Sequence, residues 1–254
     1  MQTKVKTKAE ITSMRESGRM LAAILNLLKS LTKPGLSTQD LADAARKELQ
    51  SFGAEPSFLD YQGFPDVLCT SINDEVVHGI PSPLRIITEG DILSLDFGVT
   101  FQGMITDGAI SFIVGNAKNP KHTDLVKTTK EALYMGINSV HDKVRTGDIG
   151  AAVEEVLNRS HYGIVRDLVG HGVGHHLHED PNIPNYGRKN TGPWLDKGMT
   201  IAIEPMATLG RDDVFMDSDG WTIITRDHSM SAHFEHTVLI TENGAEILTL
   251  ASDK

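Results

Sequence analysis

Two aspartates, Asp96 and Asp107, are spaced so that they could hold a metal ion. The apolar, strand-like runs that contain them flank residues 100–103, a segment that suits a turn with glycine at its end. If Phe101 and Gln102 form the centre of that turn, the two aspartates lie directly opposite each other in a hairpin. Like charges so placed destabilise a hairpin, whereas a hard divalent cation between them turns repulsion into coordination. The alternative is a different register, because a three- or five-residue loop would offset the pair.

Two glutamates near the C-terminal end extend the set of acidic residues. Glu204 ends an apolar strand-like run just before Pro205, and Glu235 alternates with His236 between apolar neighbours. A glutamate is strongly disfavoured in a protein core unless it is paired. Each glutamate alone could lie on a solvated strand face, but together with the aspartates the pair indicates a shared site.

A histidine-rich segment, residues 170–181, reads GHGVGHHLHEDP and holds four of the eleven histidines. Its three glycines let the backbone lie close to whatever His171 and His178 contact, which favours a metal or substrate contact over core packing. A solvated loop that happens to be rich in histidine is the alternative. His171 and His175 are four residues apart, but the glycines oppose a helix and the segment lacks HExxH, which excludes a helical zinc-protease motif.

The charges of these residues indicate how many ions they could hold. Four carboxylates, on Asp96, Asp107, Glu204 and Glu235, carry −4 in total. With a neutral His171 they would balance two divalent cations. Oxygen ligands with one imidazole suit manganese, iron, cobalt or zinc.

The elements that must position these residues are predicted from apolar periodicity and turn signals. The pattern indicates helices, then strands, then helices, then strands, and the chain has no linker rich in proline, glycine or serine. We therefore predict one α+β domain, residues 1–254, in which the two halves have a similar make-up. Helices are predicted at residues 8–30, at 38–52 with Ser37 as the cap and Gly53 as the end, at 124–140 and at 149–159.

Composition and charge exclude several classes of protein. Lysine and arginine number 24 against 34 aspartates and glutamates, and the net charge of −10 opposes nucleic-acid binding. The apolar stretches are far shorter than the roughly 20 residues of a membrane span, and a secretory signal is not recognisable. The single cysteine, Cys69, cannot form an internal disulfide. We expect a cytoplasmic protein that does not bind membranes, with Cys69 as a small buried side chain rather than a nucleophile.

The order Asp, Asp, His, Glu, Glu and the motifs around it resemble one family over essentially the whole chain. The motifs are NDEVVHGIP, GHGVG followed by HE, IEPM, DGWT and EHT. Together they resemble the type I methionine aminopeptidases in their short bacterial form. The resemblance implies the pita-bread (creatinase/aminopeptidase) fold, a pseudo-symmetric curved antiparallel sheet covered by helices, with two metal ions at its centre.

The resemblance also implies a role for each site residue. The implied metal ligands are Asp96, Asp107, His171, Glu204 and Glu235, with Asp107 and Glu235 bridging the ions. A water acidified by the two cations would attack the first peptide carbonyl, and Glu204 would move its proton to the leaving amine. His178 would stabilise the oxyanion, and His78 would bind near the leaving nitrogen. For His78, a surface histidine near a turn is the alternative.

A methionine pocket is the remaining implication, and here the chain departs from many relatives. The pocket positions are Phe58, Tyr61, Phe64, Cys69, Leu177 and Trp221, an aromatic set that suits a flexible thioether. Phe58 and Leu177 could equally serve ordinary core packing. The departures are at Phe58, Phe64 and Leu177, and at His175 and His176, where bacterial relatives often have arginine or another residue followed by a small one. We predict that His176 affects the pH optimum or the pocket size.

The implied activity is removal of N-terminal methionine from peptides and nascent chains whose second residue is small. We expect a monomer that works close to the ribosome. The nearest alternative is a proline-specific metallopeptidase with the same metal ligands, such as prolidase or aminopeptidase P. A non-catalytic binding module is a further alternative, although such relatives typically lose ligands and this chain keeps all five.

Overall fold

The structure is a computed structural model that describes residues 4–250. Within them lie four α-helices and a 3₁₀ turn at Tyr61–Gly63. The helices are α1 (Lys8–Leu31), α2 (Thr38–Phe52), α3 (Pro120–Asn138) and α4 (Thr146–Arg159). The strands are β1 (Glu55–Pro56), β2 (Cys69–Ile72), β3 (Glu75–Val77), β4 (Ile92–Phe101), β5 (Met104–Ile113), β6 (Val144–Arg145), β7 (Gly163–Ile164), β8 (Gly170–Gly172), β9 (Glu179–Ile183), β10 (Trp194–Leu195), β11 (Thr200–Ile203), β12 (Met206–Thr208), β13 (Val214–Met216), β14 (Ile223–Thr225), β15 (Ser231–His233), β16 (Glu235–Ile240) and β17 (Ala245–Ile247).

Nine strands form a central antiparallel sheet in the order β1-β4-β5-β16-β11-β8-β9, with β2 beside β4 and β17 beside β16. Three small sheets, β6 with β10, β7-β12-β15 and β3-β14-β13, flank it. Helices and antiparallel strands thus alternate as predicted for an α+β chain. Of the helices within residues 4–250, none has both the length and the apolar content that crossing a bilayer requires.

The two predicted N-terminal helices are confirmed, because local capping signals define their ends. The Ser37 hydroxyl accepts from the Asp40 backbone N–H, and the Asp40 carboxylate accepts from the backbone N–H of Ser37, which together form a capping box. Gly53 ends α2 with a φ of 65°, a left-handed conformation that suits glycine. The later helices, α3 and α4, begin three or four residues before their predicted starts.

The central sheet separates two chemical environments. Along β4, Leu93, Leu95 and Phe97 pack into an apolar cluster with α1 and α2, while Asp96 points to the opposite face, since side chains alternate along a strand. A second apolar cluster joins α3 and α4 to β11 and β16 in the other half of the molecule. Helices therefore cover one face of the sheet, and the acidic residues project from the other.

The predicted register of the β4–β5 hairpin is wrong by two residues. Phe101 pairs with Met104, so the turn consists of Gln102 and Gly103 alone, with φ of 49° and 74°. Two-residue turns with positive φ match the twist of antiparallel strands, which favours this short loop. Asp96 therefore pairs with Ala109 and Asp107 with Gly98. Because the offset is an even number of residues, both aspartates stay on the same face as diagonal neighbours.

Gly18 in α1 should be intolerant of substitution. A Cβ there would lie 2.1 Å from the Leu248 carbonyl oxygen, a backbone atom that cannot rotate away. We expect Gly18→Ala to lower the free energy of unfolding by about 1–3 kcal/mol, although alanine is by itself the better helix former by about 1 kcal/mol. Urea unfolding of the metal-free protein measures the change. Ala23→Gly, at an exposed position of the same helix, gives the propensity term alone. A Gly18→Ala protein as stable as the parent would contradict this close approach.

Candidate metal centre

Five neighbouring strands of the central sheet deliver the five predicted ligands to one place. Asp96 lies in β4, Asp107 in β5 and Glu235 at the start of β16, while Glu204 directly follows β11 and His171 is the middle residue of β8. These strands are consecutive neighbours in the sheet. Residues 139 positions apart in the chain, Asp96 and Glu235, therefore contribute to the same cavity.

The ligand atoms lie at distances that suit shared coordination. His171 Nε2 is 3.5 Å from Glu204 Oε1 and 4.0 Å from Asp107 Oδ2. Asp107, His171 and Glu235 each offer an atom within 4.8 Å of the others. His171 Nδ1 lies 3.0 Å from the Gly172 carbonyl oxygen, and an N–H donated there leaves the Nε2 lone pair directed at the carboxylates.

Two buried carboxylate oxygens at the centre show that it is built for a positive group. Asp96 Oδ1 and Glu235 Oε1 are buried and have no hydrogen-bond partner within residues 4–250. Buried polar atoms are normally satisfied, so exceptions need a reason. A divalent cation, which prefers carboxylate oxygen, would supply the missing partner to both. The residues present therefore fit a metal site.

Burial favours the uncharged form of the titratable groups at the centre. Desolvation raises the pKa of Asp96 to about 7. It also raises the pKa of Asp107, Glu204 and Glu235 well above their usual range, and repulsion among the carboxylates adds to the rise. Burial lowers the pKa of His171 to about 3, which keeps the imidazole neutral and able to bind a metal.

All thirteen predicted site residues line one cavity of about 160 Å³, and Gln62 also lines it. His78 is half-buried there with φ of 60°, and its ring lies edge-on to Trp221 at 6.3 Å. Burial lowers the pKa of His78 to about 4. The alternative of a surface histidine at position 78 is therefore not what the structure shows.

His178 stands at the mouth of the cavity between the ligands and the aromatic residues. Its ring lies 4.2 Å from that of His171, centroid to centroid, and its Nδ1 is 2.8 Å from the Tyr61 hydroxyl. A Tyr61 hydroxyl that donates to Nδ1 leaves the ring proton on Nε2. The tyrosine thus orients His178 as a donor.

The apolar end of the cavity is walled by the residues predicted to bind methionine. Phe58, Phe64, Cys69 and Leu177 form a buried cluster against which Tyr61 and Trp221 pack. The rings of Phe64 and Trp221 meet edge to face at 5.2 Å. Phe58 and Leu177 contribute both to this packing and to the cavity wall. Burial and the neighbouring carboxylates raise the pKa of the Cys69 thiol, which opposes a nucleophilic role.

The two departures at 175 and 176 have different surroundings. His175 is half-buried, and its Nε2 lies 2.8 Å from Glu10 Oε1. His176 is exposed and is not among the residues that line the cavity. The predicted effect of His176 on pocket size thus has no geometric support, and the effect on pH optimum stays a prediction. His171, in strand β8, agrees with the exclusion of a helical zinc motif.

Sequence reasoning missed His233. It is fully buried, its Nε2 lies 3.7 Å from Glu204 Oε2, and neither ring nitrogen has a hydrogen-bond partner within residues 4–250. Burial lowers its pKa to about 3. The available signal was its place between the apolar residues Ala232 and Phe234, two residues before Glu235.

Comparison with known proteins defines the class to which this fold and this site belong. Residues 12–242 match the model of metallopeptidase family M24. The chain belongs to this family. The prediction of a metal-dependent peptidase is thereby confirmed.

Similarity within the family runs to bacterial methionine aminopeptidases. The chain is 44% identical to methionine aminopeptidase of Clostridium acetobutylicum, over 97% of this chain and 98% of that protein. It is 43% identical to methionine aminopeptidase 1 of Bacillus subtilis, over 96% and 98%. The crystal structure of methionine aminopeptidase from Thermotoga maritima superposes with a TM-score of 0.96 at 42% identity, over 98% of this chain and all of that one.

The same comparisons confirm the predicted fold. Prolidase from Pyrococcus furiosus superposes with a TM-score of 0.79 at 23% identity and shares the fold alone. The chain therefore has the pita-bread architecture of both groups. Its resemblance to the methionine aminopeptidases is confirmed by the identity and coverage of those relatives.

Proposed function

We propose that this chain hydrolyses the bond after an N-terminal methionine when the second residue is small, with two divalent metal ions bound at its centre. One observation carries the proposal: the four carboxylates, His171 and the aromatic residues line the same cavity of about 160 Å³. The bacterial relatives named methionine aminopeptidase support it, because the chain matches them end to end.

Five side chains would hold the ions: Asp96, Asp107, His171, Glu204 and Glu235. The four carboxylates balance the charge of two divalent cations, as the sequence suggested, and manganese, iron, cobalt and zinc all accept this donor set. When bound, such ions polarise the scissile carbonyl and lower the pKa of a water molecule. Family membership supports the use of a divalent metal, while the number of ions belongs to the proposal.

The chain's own groups would do the rest of the chemistry. His178, oriented by Tyr61, would donate from Nε2 to the carbonyl oxygen as negative charge develops there. His78, which lines the same cavity beside Trp221, would bind near the leaving nitrogen. Glu204, whose pKa is raised by burial, would take the proton of the attacking water and pass it to the leaving amine.

The pocket accounts for the choice of methionine. Phe64 and Trp221 pack edge to face in the cavity wall, and Leu177 and Cys69 lie in the same apolar cluster. An unbranched thioether can thread such a slot and contact aromatic edges favourably, whereas a β-branched side chain cannot change shape to enter. The partners proposed are peptides and nascent chains that begin with methionine.

The proposal includes four further expectations that the sequence raised. Residues 1–254 would act as one catalytic domain, which the family match over 12–242 supports. The protein would act as a monomer. It would work in the cytoplasm, which the single cysteine supports, and near ribosomes, which the nature of the substrate supports.

Peptide hydrolysis tests the proposal directly. Metal-free protein is titrated with manganese, cobalt, iron or zinc in the presence of Met-Ala-Ser, with Ala-Pro-Ser in parallel. We expect metal-dependent release of methionine and no release of alanine before proline. Cleavage of Ala-Pro-Ser alone would move the chain to the proline-specific activity, and no cleavage with any of the metals would favour a binding role.

Replacing His178 should slow catalysis more than it weakens binding. A single donor to a developing oxyanion is worth roughly 100-fold in kcat or more, so we expect His178→Ala to lower kcat on Met-Ala-Ser by about 100-fold with a small change in KM. The exposed His141→Ala is the matched control and should leave both constants unchanged. A raised KM with an unchanged kcat would argue against the oxyanion role.

A further inference from the structure

Lys6 is a buried lysine in the short extended segment before α1. The side chains of Lys6 and Glu179 are 0% and 2% exposed, and Lys6 Nζ lies 3.1 Å from Glu179 Oε2. The Lys6 backbone N–H donates to the Gly198 carbonyl oxygen at 2.7 Å, which holds the segment against the body of the protein. Burying such a pair costs desolvation energy, which lowers the pKa of Lys6 and which Glu179 partly offsets. A buried ion pair adds little net stability, so its value to the protein is better sought in the conformation that it fixes.

Glu179 uses its other oxygen to shape the histidine-rich loop. Glu179 Oε1 accepts from the backbone N–H of His175 at 2.8 Å and from that of His176 at 3.0 Å. One carboxylate thus closes the loop from 175 to 179 on itself, while its second oxygen meets Lys6. Ile105 of β5 donates to the Gly174 carbonyl oxygen at 2.7 Å and fixes the other end of the loop.

A second contact joins the same loop to the start of α1. His175 Nε2 lies 2.8 Å from Glu10 Oε1, and Glu10 Oε2 accepts from the Thr7 backbone N–H at 2.7 Å in the capping box of the helix. The hydrogen bond from Thr7, followed by that with His175, lowers the pKa of Glu10 to about 2. The N-terminal segment therefore grips the loop at two points.

The gripped loop carries two residues of the cavity. Leu177 walls the apolar pocket and His178 reaches the Tyr61 hydroxyl, yet Lys6, Glu10 and Glu179 are not among the residues that line the cavity. We name Lys6, Glu10, His175 and Glu179 the N-terminal clamp. We propose that the clamp is a positioning device that sets Leu177 and His178 for substrate, an inference that rests on the proposed function.

Contacts that position the loop and contacts that only stabilise the fold, here called a structural tie, should have different effects when they are removed. A structural tie would lower the melting temperature and leave the kinetic constants unchanged while the protein stays folded. A positioning device would change kcat/KM in folded protein, because a displacement of about 1 Å at a catalytic group can cost up to roughly 100-fold.

Lys6→Met tests the inner contact, with Lys8→Met at an exposed neighbouring position as the control. We expect Lys6→Met to lower kcat/KM on Met-Ala-Ser by about 10- to 100-fold below its melting temperature. We also expect faster hydrogen exchange at the amides of His175 and His176, which the clamp protects. Unchanged kcat/KM and unchanged exchange in folded Lys6→Met would overturn the proposal.

The half-exposed outer contact provides a test that does not endanger folding. His175→Ala should also lower kcat/KM, but by a smaller factor than Lys6→Met. The separate variant Glu10→Gln keeps an acceptor oxygen for His175 and should retain most of the parent value. Unchanged kcat/KM in both His175→Ala and Lys6→Met would likewise overturn the proposal, because the contacts would then only stabilise the fold.

A double-mutant cycle identifies the group through which the clamp acts. In a His178→Ala background, Lys6→Met should cause much less than its effect in the parent protein, since the residue it positions is already absent. Fully additive losses would contradict positioning of His178. If the parent protein released no methionine, the proposed function would fail, while the exchange measurement would still test whether the clamp orders the loop.

Discussion

Asp107→Asn should abolish methionine release and at the same time stabilise the metal-free protein. The Asp107 carboxylate lies near Asp96, Glu204 and His171, and in the proposed centre it would bind both metal ions. A metal centre supplies several kcal/mol of transition-state stabilisation, and its loss corresponds to a fall of about 1,000-fold in kcat/KM. The amide keeps an oxygen for the Gly108 backbone N–H, which now bonds Asp107 Oδ1 at 3.0 Å.

The gain in stability has the same origin as the loss of activity. A neutral amide removes one of four buried carboxyl groups whose pKa values are raised, and we expect a rise of about 1–2 kcal/mol in the free energy of unfolding in EDTA at pH 8. Asp43→Asn, an exposed change on α2, is the control and should alter neither quantity. An Asp107→Asn protein that retained activity, or that was less stable than the parent in EDTA, would contradict the assignment of Asp107.

The second large effect is a fall in the stability of the metal-free protein as pH rises above 7. The folded-state pKa values of the buried carboxyl groups lie above their unfolded values, so the folded chain binds more protons than the unfolded chain. The stability that these protons provide is complete below the unfolded pKa and is lost as pH rises through the folded pKa. Each carboxyl still protonated contributes a loss of about 1.4 kcal/mol per pH unit.

Buried histidines restrict the pH range in which this effect can be measured. Burial lowers the pKa of His171 and His233 to about 3, and that of His78 and His236 to about 4. Below about pH 6.5 these groups bind protons in the unfolded chain and oppose the effect of the carboxyls. Above pH 7 they are largely neutral in both states, so the slope there reports the carboxyls together with the buried Cys69 thiol, whose raised pKa acts in the same sense.

Urea unfolding in EDTA at pH values from 7 to 8.5 measures the slope, and saturating manganese should abolish it, because a bound cation replaces the protons. Glu204→Gln should reduce the slope by about one carboxyl's share. A stability that stayed flat or rose across this range in EDTA would show that the carboxyls are already ionised without metal.

Local signals in the sequence account for the parts of the fold that were predicted well. Ser37 and Gly53 define the ends of α2, and the alternation around Asp96 and Glu235 places both on the inner face of the sheet. The hairpin register was missed because it depends on a positive φ at Gln102, a conformation that is uncommon for glutamine and cannot be predicted from residue type alone. The prediction that the two aspartates lie close together on one face was still correct, because a register error of two residues does not move a side chain to the other face.

Contacts between distant segments could not be predicted. The ion pair of Lys6 with Glu179 and the contact of Glu10 with His175 span more than 160 residues and involve residue types that are usually exposed. His233 carried no motif of its own and gains interest only from its 3.7 Å distance to Glu204. The ligands were found because five residues of suitable chemistry agreed with one family pattern in order.

Anomalous diffraction at the manganese edge, from crystals grown with manganese, tests whether two ions bind among the five side chains. We expect two peaks in the cavity, within coordination distance of Asp96, Asp107, His171, Glu204 and Glu235. In an Asp107→Asn crystal we expect no peak beside residue 107. Manganese bound elsewhere, or an empty cavity in crystals whose protein releases methionine, would contradict the proposed two-metal centre.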